Sequence, residues 1–369
     1  MIAAHTDVVG SLLRPIELLR AREQIAAGLI TPPEFKAIED RTVDRAVAVQ
    51  EQAGLEIVTD GEMRRLSFQS QLTEAVDGFG KYTMDAFLWG DWHGDEICRD
   101  LRIERPPSLG VVSKLTRKRH LCAEEFTYLR AKTSRIAKIT LPSPSLWSNF
   151  WSAETSASAY PTLDSFLADV VGILCDEVSE LVRLGATYIQ LDAPHYPLLL
   201  DMKTRRFYES RGWSLEHWLA RGIEMDNAVI NGFPGVTFGF HLCRGNQGGR
   251  WLVEGSYDPI ARPIFRGIRA HRLLLEYDDA RSGSFEALRE VPDDKMVVLG
   301  LVTTKSPRRE NPEELISRMR DANRFIPLER LAISPQCGFS TSILGSPLSF
   351  EDEAHKLRTM VETAKAVWG

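Results

Sequence analysis

The stretch Val236 to Arg244 reads VTFGFHLCR and ends in a histidine and a cysteine two positions apart. A run this rich in β-branched and aromatic residues reads as a buried strand. In a strand, residues i and i+2 point the same way, so His241 and Cys243 offer an imidazole and a thiol in one direction. Zinc takes nitrogen and sulfur ligands together, and it is the metal such a pair suits best. The plain alternative is a buried cysteine beside a hydrogen-bonded histidine, both ordinary core residues. What decides between them is whether further ligands arrive at the same place.

The elements that would deliver those ligands follow in order. Thr6 to Ser11 (TDVVGS) is a short apolar run closed by Gly-Ser, read as a first strand and its turn. Thr31-Pro32-Pro33-Glu34 opens a helix with a capping box, and helical spacing runs on to Gly54. Leu55 to Asp60 (LEIVTD) is the next strand, delivering Asp60-Gly61-Glu62 at its C-terminal end. Strand, helix and strand in this order make a βαβ unit.

From Phe68 to Arg135 the rhythm breaks. That segment carries Phe79, Tyr82, Phe87, Trp89 and Trp92 and the pair Pro106-Pro107, and it reads as an insertion after the second strand, a lid or a dimer contact. Strands then follow at Ile136–Leu141, Thr187–Asp192, Val236–Arg244, Arg272–Tyr277, Met296–Thr303 and Leu331–Cys337. Helices are expected from Thr162 to Gly185, Ser214 to Ile230, Pro259 to Gly267, from Asn311, and from Ser349 to Trp368. Eight strands, most followed by a helix, predict one α/β domain over residues 1–369, a (β/α)8 TIM barrel. No GxGxxG or Walker sequence lies on a strand–helix junction, so neither nucleotide-binding fold is supported.

Composition excludes several classes. The 369 residues are 43% hydrophobic and 26% charged, ordinary for a soluble enzyme, and the formal charge of −6 gives no footprint for nucleic acid. The densest basic run, Arg117 to His120, reads as a solvated loop or helix end. Met1 to His5 lacks the pattern of a secretory leader, and no apolar run is long enough to span a bilayer. Five scattered cysteines, an odd number, are no disulfide framework. Cytoplasmic residence is expected, and Cys98, Cys122 and Cys175 are read as structural thiols.

In a barrel the active site lies at the C-terminal ends of the strands. Those ends hold Gly10-Ser11, Glu62, Asp192, His241 and Cys243, Glu276, Lys305 and Cys337. His241, Cys243, Glu276 and Cys337 make a four-coordinate zinc set, although Glu276 after three leucines would equally begin a solvated loop. Two thiolates and a carboxylate outweigh Zn2+ by one unit of charge, which suits it poorly to activating water. An incoming thiol would still lose its proton on coordination and keep its nucleophilicity. Thiol alkylation is the reaction this ligand set best serves, with metal-assisted hydrolysis second.

Over nearly its whole length the chain resembles the C-terminal catalytic barrel of cobalamin-independent methionine synthase. The likeness rests on Val9-Gly10-Ser11, Asp60-Gly61-Glu62, Arg105-Pro106-Pro107, Gln190-Leu191-Asp192-Ala193-Pro194, His241-Leu242-Cys243, Leu275-Glu276 and Ser334-Pro335-Gln336-Cys337-Gly338. The resemblance implies that His241, Cys243, Glu276 and Cys337 bind zinc, that Glu62 and Asp192 hold the amino group of homocysteine, and that Gly10-Ser11 meet its carboxylate. Paired acids suit an ammonium, and turn N–H groups suit a carboxylate. Glu276 would leave the metal as the substrate sulfur arrives.

There are departures. The duplicated N-terminal barrel of the full-length synthase has no counterpart in these residues. Thr304-Lys305-Ser306-Pro307 stands where the family has Ile-His-Ser-Pro, its histidine a proposed proton donor, so Lys305 is read as an acid, a binder of an anionic donor, or an exposed cation at the rim. Leu141-Pro142-Ser143-Pro144 stands where the family sets a tryptophan against the pterin.

The sequence therefore predicts a zinc-dependent methyltransferase acting on a small thiol, homocysteine or a similar aminothiol. Its methyl donor is a folate, a methylated corrinoid protein, or a small sulfonium, ammonium or methyl ether compound. Assembly as a homo-oligomer is open. The runner-up is an epoxide-opening coenzyme M transferase, against which Glu62 and Asp192 count, since a sulfonate wants cations there. A non-catalytic zinc or methyl-donor binding protein is the third reading. A metal-free decarboxylase resembling uroporphyrinogen decarboxylase is the fourth.

Overall fold

The computed structural model describes residues 2–81, 92–94, 109–210 and 212–369. Tyr82, Phe87, Trp89, Cys98 and Arg105 to Pro107 lie outside the described residues. Nine strands are found among them: β1 (Ile57–Val58), β2 (Val76–Lys81), β3 (Leu109–Arg117), β4 (Ile136–Pro142), β5 (Tyr188–Asp192), β6 (Thr237–Leu242), β7 (Arg272–Glu276), β8 (Met296–Val302) and β9 (Leu331–Pro335). Seven form one curled parallel sheet in the order β1-β4-β5-β6-β7-β8-β9, with helices in the crossovers. This is a TIM-barrel-like α/β architecture.

Parallel strands covered on both faces should be apolar along their whole length, and β5 to β9 are buried at every position. The main apolar cluster runs from Val8 to Ala364 and ties sheet and helices together.

The helix boundaries follow the capping chemistry. Thr31 accepts from Glu34 N while Glu34 reaches back, and Gly54 closes Pro32–Ala53 in the left-handed conformation at φ 91°. Thr162 with Ser165, and Ser349 with Asp352, make the same box ahead of Leu163–Arg183 and Phe350–Trp368.

Two predicted strands differ. Leu55–Asp60 narrows to Ile57–Val58. Thr6–Ser11 supplies a single parallel bridge, Thr6 to Ile333, instead of an eighth strand. The reason is that its backbone acceptors are taken by side chains. Val8 O accepts from Lys138, Val9 O from Gln190 Nε2 at 2.8 Å and Gly10 O from Thr59 Oγ1 at 2.7 Å. Buried Asp7 pairs with Lys138 at 2.9 Å and Arg272 at 3.2 Å, which pins the segment inside the curl. It reaches from β9 to the end of β1, where Leu12 N donates to Gly61 O at 3.1 Å.

Of residues 68–135, those described form a short helix, Ser70–Ala75, the separate antiparallel pair β2–β3, and a helix, Ala123–Lys132, packed on β4. Among the described residues no helix is long and apolar enough to cross a membrane.

Candidate metal and thiol site

The parallel register sets the site level. Asp192 at the end of β5 pairs with His241 on β6, Leu242 pairs with Leu275 on β7, and Glu276 pairs with Gly300 on β8. Cys337 lies two residues past the end of β9. One ligand atom from each of His241, Cys243, Glu276 and Cys337 lies within 4.8 Å of every other. Around zinc with bonds of about 2.0 to 2.3 Å, tetrahedral donors stand about 3.3 to 3.8 Å apart, so a small contraction would close the set.

Each ligand is held from behind. His241 Nδ1 lies 3.4 Å from Leu274 O, and its Nε2 is buried with no hydrogen-bond partner. Burial pushes this imidazole down to about 3, with Lys138 adding to the effect, so it stays neutral and can ligate without releasing a proton. Glu276 Oε1 accepts from Arg244 N at 3.0 Å while Oε2 is buried without a hydrogen bond. Burial raises the Glu276 carboxyl against the opposing pull of Lys305. Tyr257 fixes the strand ends by donating to Leu242 O at 3.0 Å and accepting from Glu276 N at 3.1 Å.

The two cysteine sulfurs are 3.5 Å apart, and Gly245 N donates to the Cys243 sulfur at 3.3 Å. The adjacent Cys337 thiol, then burial, raise the Cys243 thiol well above its ordinary range. Two thiols crowded together are costly to ionise unless a cation joins them. The loop under Cys337 is tied by Asn246, which donates to Thr304 Oγ1 at 2.9 Å and to Gly338 O at 3.0 Å. Orphaned buried donors and paired thiols in a nitrogen, sulfur and oxygen set fit zinc.

A cavity of about 590 Å3 opens beside these ligands, lined by Ser11, Glu62, Asp192, His241, Cys243 and Cys337 among others. Part of its lining is apolar and aromatic, with Phe68, Phe79, Leu146 and Phe150. Phe79 and Phe150 meet edge to face at 5.8 Å. Leu146 and Phe150 come from the short 3-10 helix Pro144–Phe150, in the stretch where the resemblance lacks its tryptophan.

Glu62 is buried and has φ 55°, the one non-glycine residue with positive φ among those described. A left-handed residue costs about 1 to 2 kcal/mol, and the fold offsets it locally. Glu62 N donates to Asp60 Oδ1 at 2.9 Å, and Glu62 O accepts from Arg65 N at 3.1 Å and Arg14 Nη2 at 3.3 Å. Asp192 Oδ1 accepts from Gln190 Nε2 at 2.7 Å. Burial, then the Glu62 charge, push the Asp192 carboxyl up. Two buried acids at one cavity favour a cationic guest.

Gly10 and Lys305 do not line the cavity but touch residues of the site. A Cβ on Gly10 would come 2.5 Å from Glu62 Oε1, so the missing side chain is the space the carboxylate fills. Ser11 lines the cavity and packs against Gly338. Lys305 is 5% exposed, 3.6 Å from Glu276 Oε2 and 3.4 Å from Asp278 Oδ2. Burial disfavours its charge, but Asp278 and Glu276 outweigh that and hold it above the ordinary lysine range. Gln190, Asn246, Thr140 and Arg65 support the site, and none of them was given a role from the sequence. Only the placement of Gln190 two residues before Asp192, on the same strand face, could have signalled one of them.

The family described as "Cobalamin-independent synthase, Catalytic domain" matches residues 4–366. The uncharacterised protein YxjH of Bacillus subtilis is 32% identical over 99% of this chain and 94% of its own length. A methionine synthase of Pyrococcus abyssi is 27% identical over 98% of this chain and 92% of its own. A Listeria monocytogenes structure, assigned provisionally to vitamin-B12 independent methionine synthase, superposes with a TM-score of 0.74 at 25% identity, covering 99% of this chain and 98% of that one. The chain belongs to the cobalamin-independent synthase catalytic-domain family, a family of methionine synthase-like methyltransferases.

Proposed function

We propose that this protein transfers a methyl group to the thiol of homocysteine or a closely similar aminothiol, with zinc held by His241, Cys243, Glu276 and Cys337. The observation that carries the reading is the sharing of one cavity by three of these ligands and by the acid pair Glu62 and Asp192. Zinc, when bound, supplies acidity to an incoming thiol, so that a nucleophilic sulfur is available at neutral pH. Glu62 and Asp192 take the ammonium, and Ser11 lies where the substrate carboxylate would reach. Fixing both ends leaves the sulfur one direction of approach, which is the entropic part of the catalysis.

The methyl donor occupies the wall of Phe79, Leu146 and Phe150, the sulfur attacks its methyl carbon in line, and the bond to the donor breaks as the carbon–sulfur bond forms. A folate is the donor class that the resemblance suggests, with a methylated corrinoid protein or a small sulfonium, ammonium or methyl ether compound as the alternative. Lys305 steadies the carboxylates of Glu276, the proposed ligand, and of Asp278 from its buried position. The protein works as a single TIM-barrel-like domain in the cytoplasm, with the described part of residues 68–135 acting as a lid, a reading supported by Phe68, Thr73, Glu74 and Phe79 in the cavity lining.

The test is a titration of zinc-loaded protein with homocysteine, cysteine and coenzyme M, following proton release and the zinc X-ray absorption edge. Homocysteine is expected to add a sulfur to the metal's ligands with release of a proton. If no thiol enters, the methyltransferase reading falls.

A further inference from the structure

The two carboxylate oxygens of Glu62 have different surroundings. Oε1 accepts from Thr140 Oγ1 at 2.8 Å, and Arg65 Nη1 lies 3.6 Å from the same oxygen. Oε2 is buried and has no hydrogen-bond partner. A half-committed buried carboxylate is costly unless something outside the protein completes it, and Glu62 lines the cavity.

Thr140, at the end of β4, does not act alone. Arg65 Nη1 donates to Thr140 Oγ1 at 2.8 Å, and Arg65 Nη2 donates to Thr140 O at 2.9 Å. With its lone pair so engaged, the hydroxyl has its proton free for Glu62. Arg65 is in turn clamped by Glu125 Oε2, through Nε at 3.0 Å and Nη2 at 2.8 Å. Glu125 accepts from Gln71 Nε2 at 2.5 Å on its other oxygen. Arg65 and Glu125 are 1% and 3% exposed, so the chain Gln71–Glu125–Arg65–Thr140–Glu62 runs through the interior. Gly10 supplies the opening into which the carboxylate turns.

We propose that Thr140 and Arg65 are positioning residues that lock the Glu62 carboxylate in one rotamer, committing Oε1 to the protein and reserving Oε2 for the ammonium of the substrate. This rests on the aminothiol reading above and adds to it the device that makes the site select for the amino group. A carboxylate free to rotate would spend its hydrogen-bonding capacity on its neighbours, and the selectivity would fade without any loss of thiol binding.

The experiment is calorimetric titration of the zinc-loaded protein with homocysteine and with its deamino analogue 4-mercaptobutyrate. It compares wild type with Thr140→Val, Thr140→Ser and Glu125→Gln. Thr140→Val is expected to weaken homocysteine about tenfold, the worth of one hydrogen bond to a charged group, and to leave 4-mercaptobutyrate and zinc content unchanged. Thr140→Ser is expected to restore wild-type affinity. Equal weakening of both thiols, or no change for homocysteine, overturns the positioning role. Should Thr140→Val not fold, Glu125→Gln carries the same comparison, with a smaller loss confined to homocysteine. If wild type itself fails to prefer homocysteine over 4-mercaptobutyrate, the aminothiol reading falls first, before any variant is considered.

Discussion

The sulfurs of Cys243 and Cys337 stand 3.5 Å apart although 94 residues separate them in sequence. Two thiols that close either share a metal or are poised to join. In metal-free protein, hydrogen peroxide is expected to couple them. Each sulfur loses a proton and one electron, and the peroxide is reduced to water. Peptide mass mapping should find the Cys243–Cys337 link in the metal-free sample and not in the zinc-loaded one, where both sulfurs are engaged. A link between other cysteines, or equal oxidation with and without zinc, would contradict the ligand assignment.

Gly10→Ala is expected to strike the acid pair and spare the metal. The added methyl would sit 2.5 Å from Glu62 Oε1 and force that carboxylate to move. Homocysteine affinity should fall at least about tenfold, a single charge-assisted hydrogen bond, while zinc stoichiometry by mass spectrometry stays at the wild-type level. Unchanged affinity would mean that Glu62 does not hold the substrate.

Lys305→Met leaves Glu276 and Asp278 buried together without their shared cation. Breaking a buried pair in this way costs about 3 to 5 kcal/mol, and urea denaturation of the metal-free protein should read a loss of that order. A variant as stable as wild type would place Lys305 at the rim after all, free to meet a donor.

Glu353 carries a pH signature. It is buried on the last helix, where it accepts from Leu13 N at 2.7 Å, and burial pushes its carboxyl up to about 8. A carboxyl raised in the folded state binds more protons folded than unfolded, so its contribution falls as pH rises from about 4.5 toward 8. Glu353→Gln keeps an acceptor for Leu13 and removes that penalty. The variant is expected to match wild type near pH 4.5 and to exceed it by about 4 kcal/mol at pH 8. A stability gap that is constant with pH, or of opposite sign, would refute the burial argument.

Much of the architecture was legible because its signals are local. Strands β4 to β9 announce themselves as apolar runs, and Thr31, Thr162 and Ser349 mark helix starts through chemistry confined to four residues. The convergence of His241, Cys243, Glu276 and Cys337 was legible for a related reason: unusual residues at strand ends come together once the strands are parallel. What stayed hidden depends on contacts across the fold. Thr6–Ser11 has the pattern of a strand, yet Lys138, Gln190 and Thr59 take its carbonyls, and no window of sequence contains those partners. The left-handed turn at Glu62 is equally unreadable, since glutamate rarely adopts it. Lys305 looked as much like a surface cation as a working one, because only the tertiary structure brings Asp278 beside it.

The segment carrying Gly10 and Ser11 is held by the far end of the chain. Asp7 N donates to Ile333 O at 3.0 Å, and Leu13 N donates to Glu353 at a separation of 340 residues. Contacts that distant pay their loop-closure cost last. During synthesis the N-terminal residues therefore leave the ribosome with their partners still untranslated, and they must wait as an unpaired apolar strip. The end of the candidate site that carries Gly10 and Ser11 is among the last parts of the molecule to form, and a chain truncated ahead of its final helix would carry all four candidate metal ligands yet lack Glu353, the partner of Leu13.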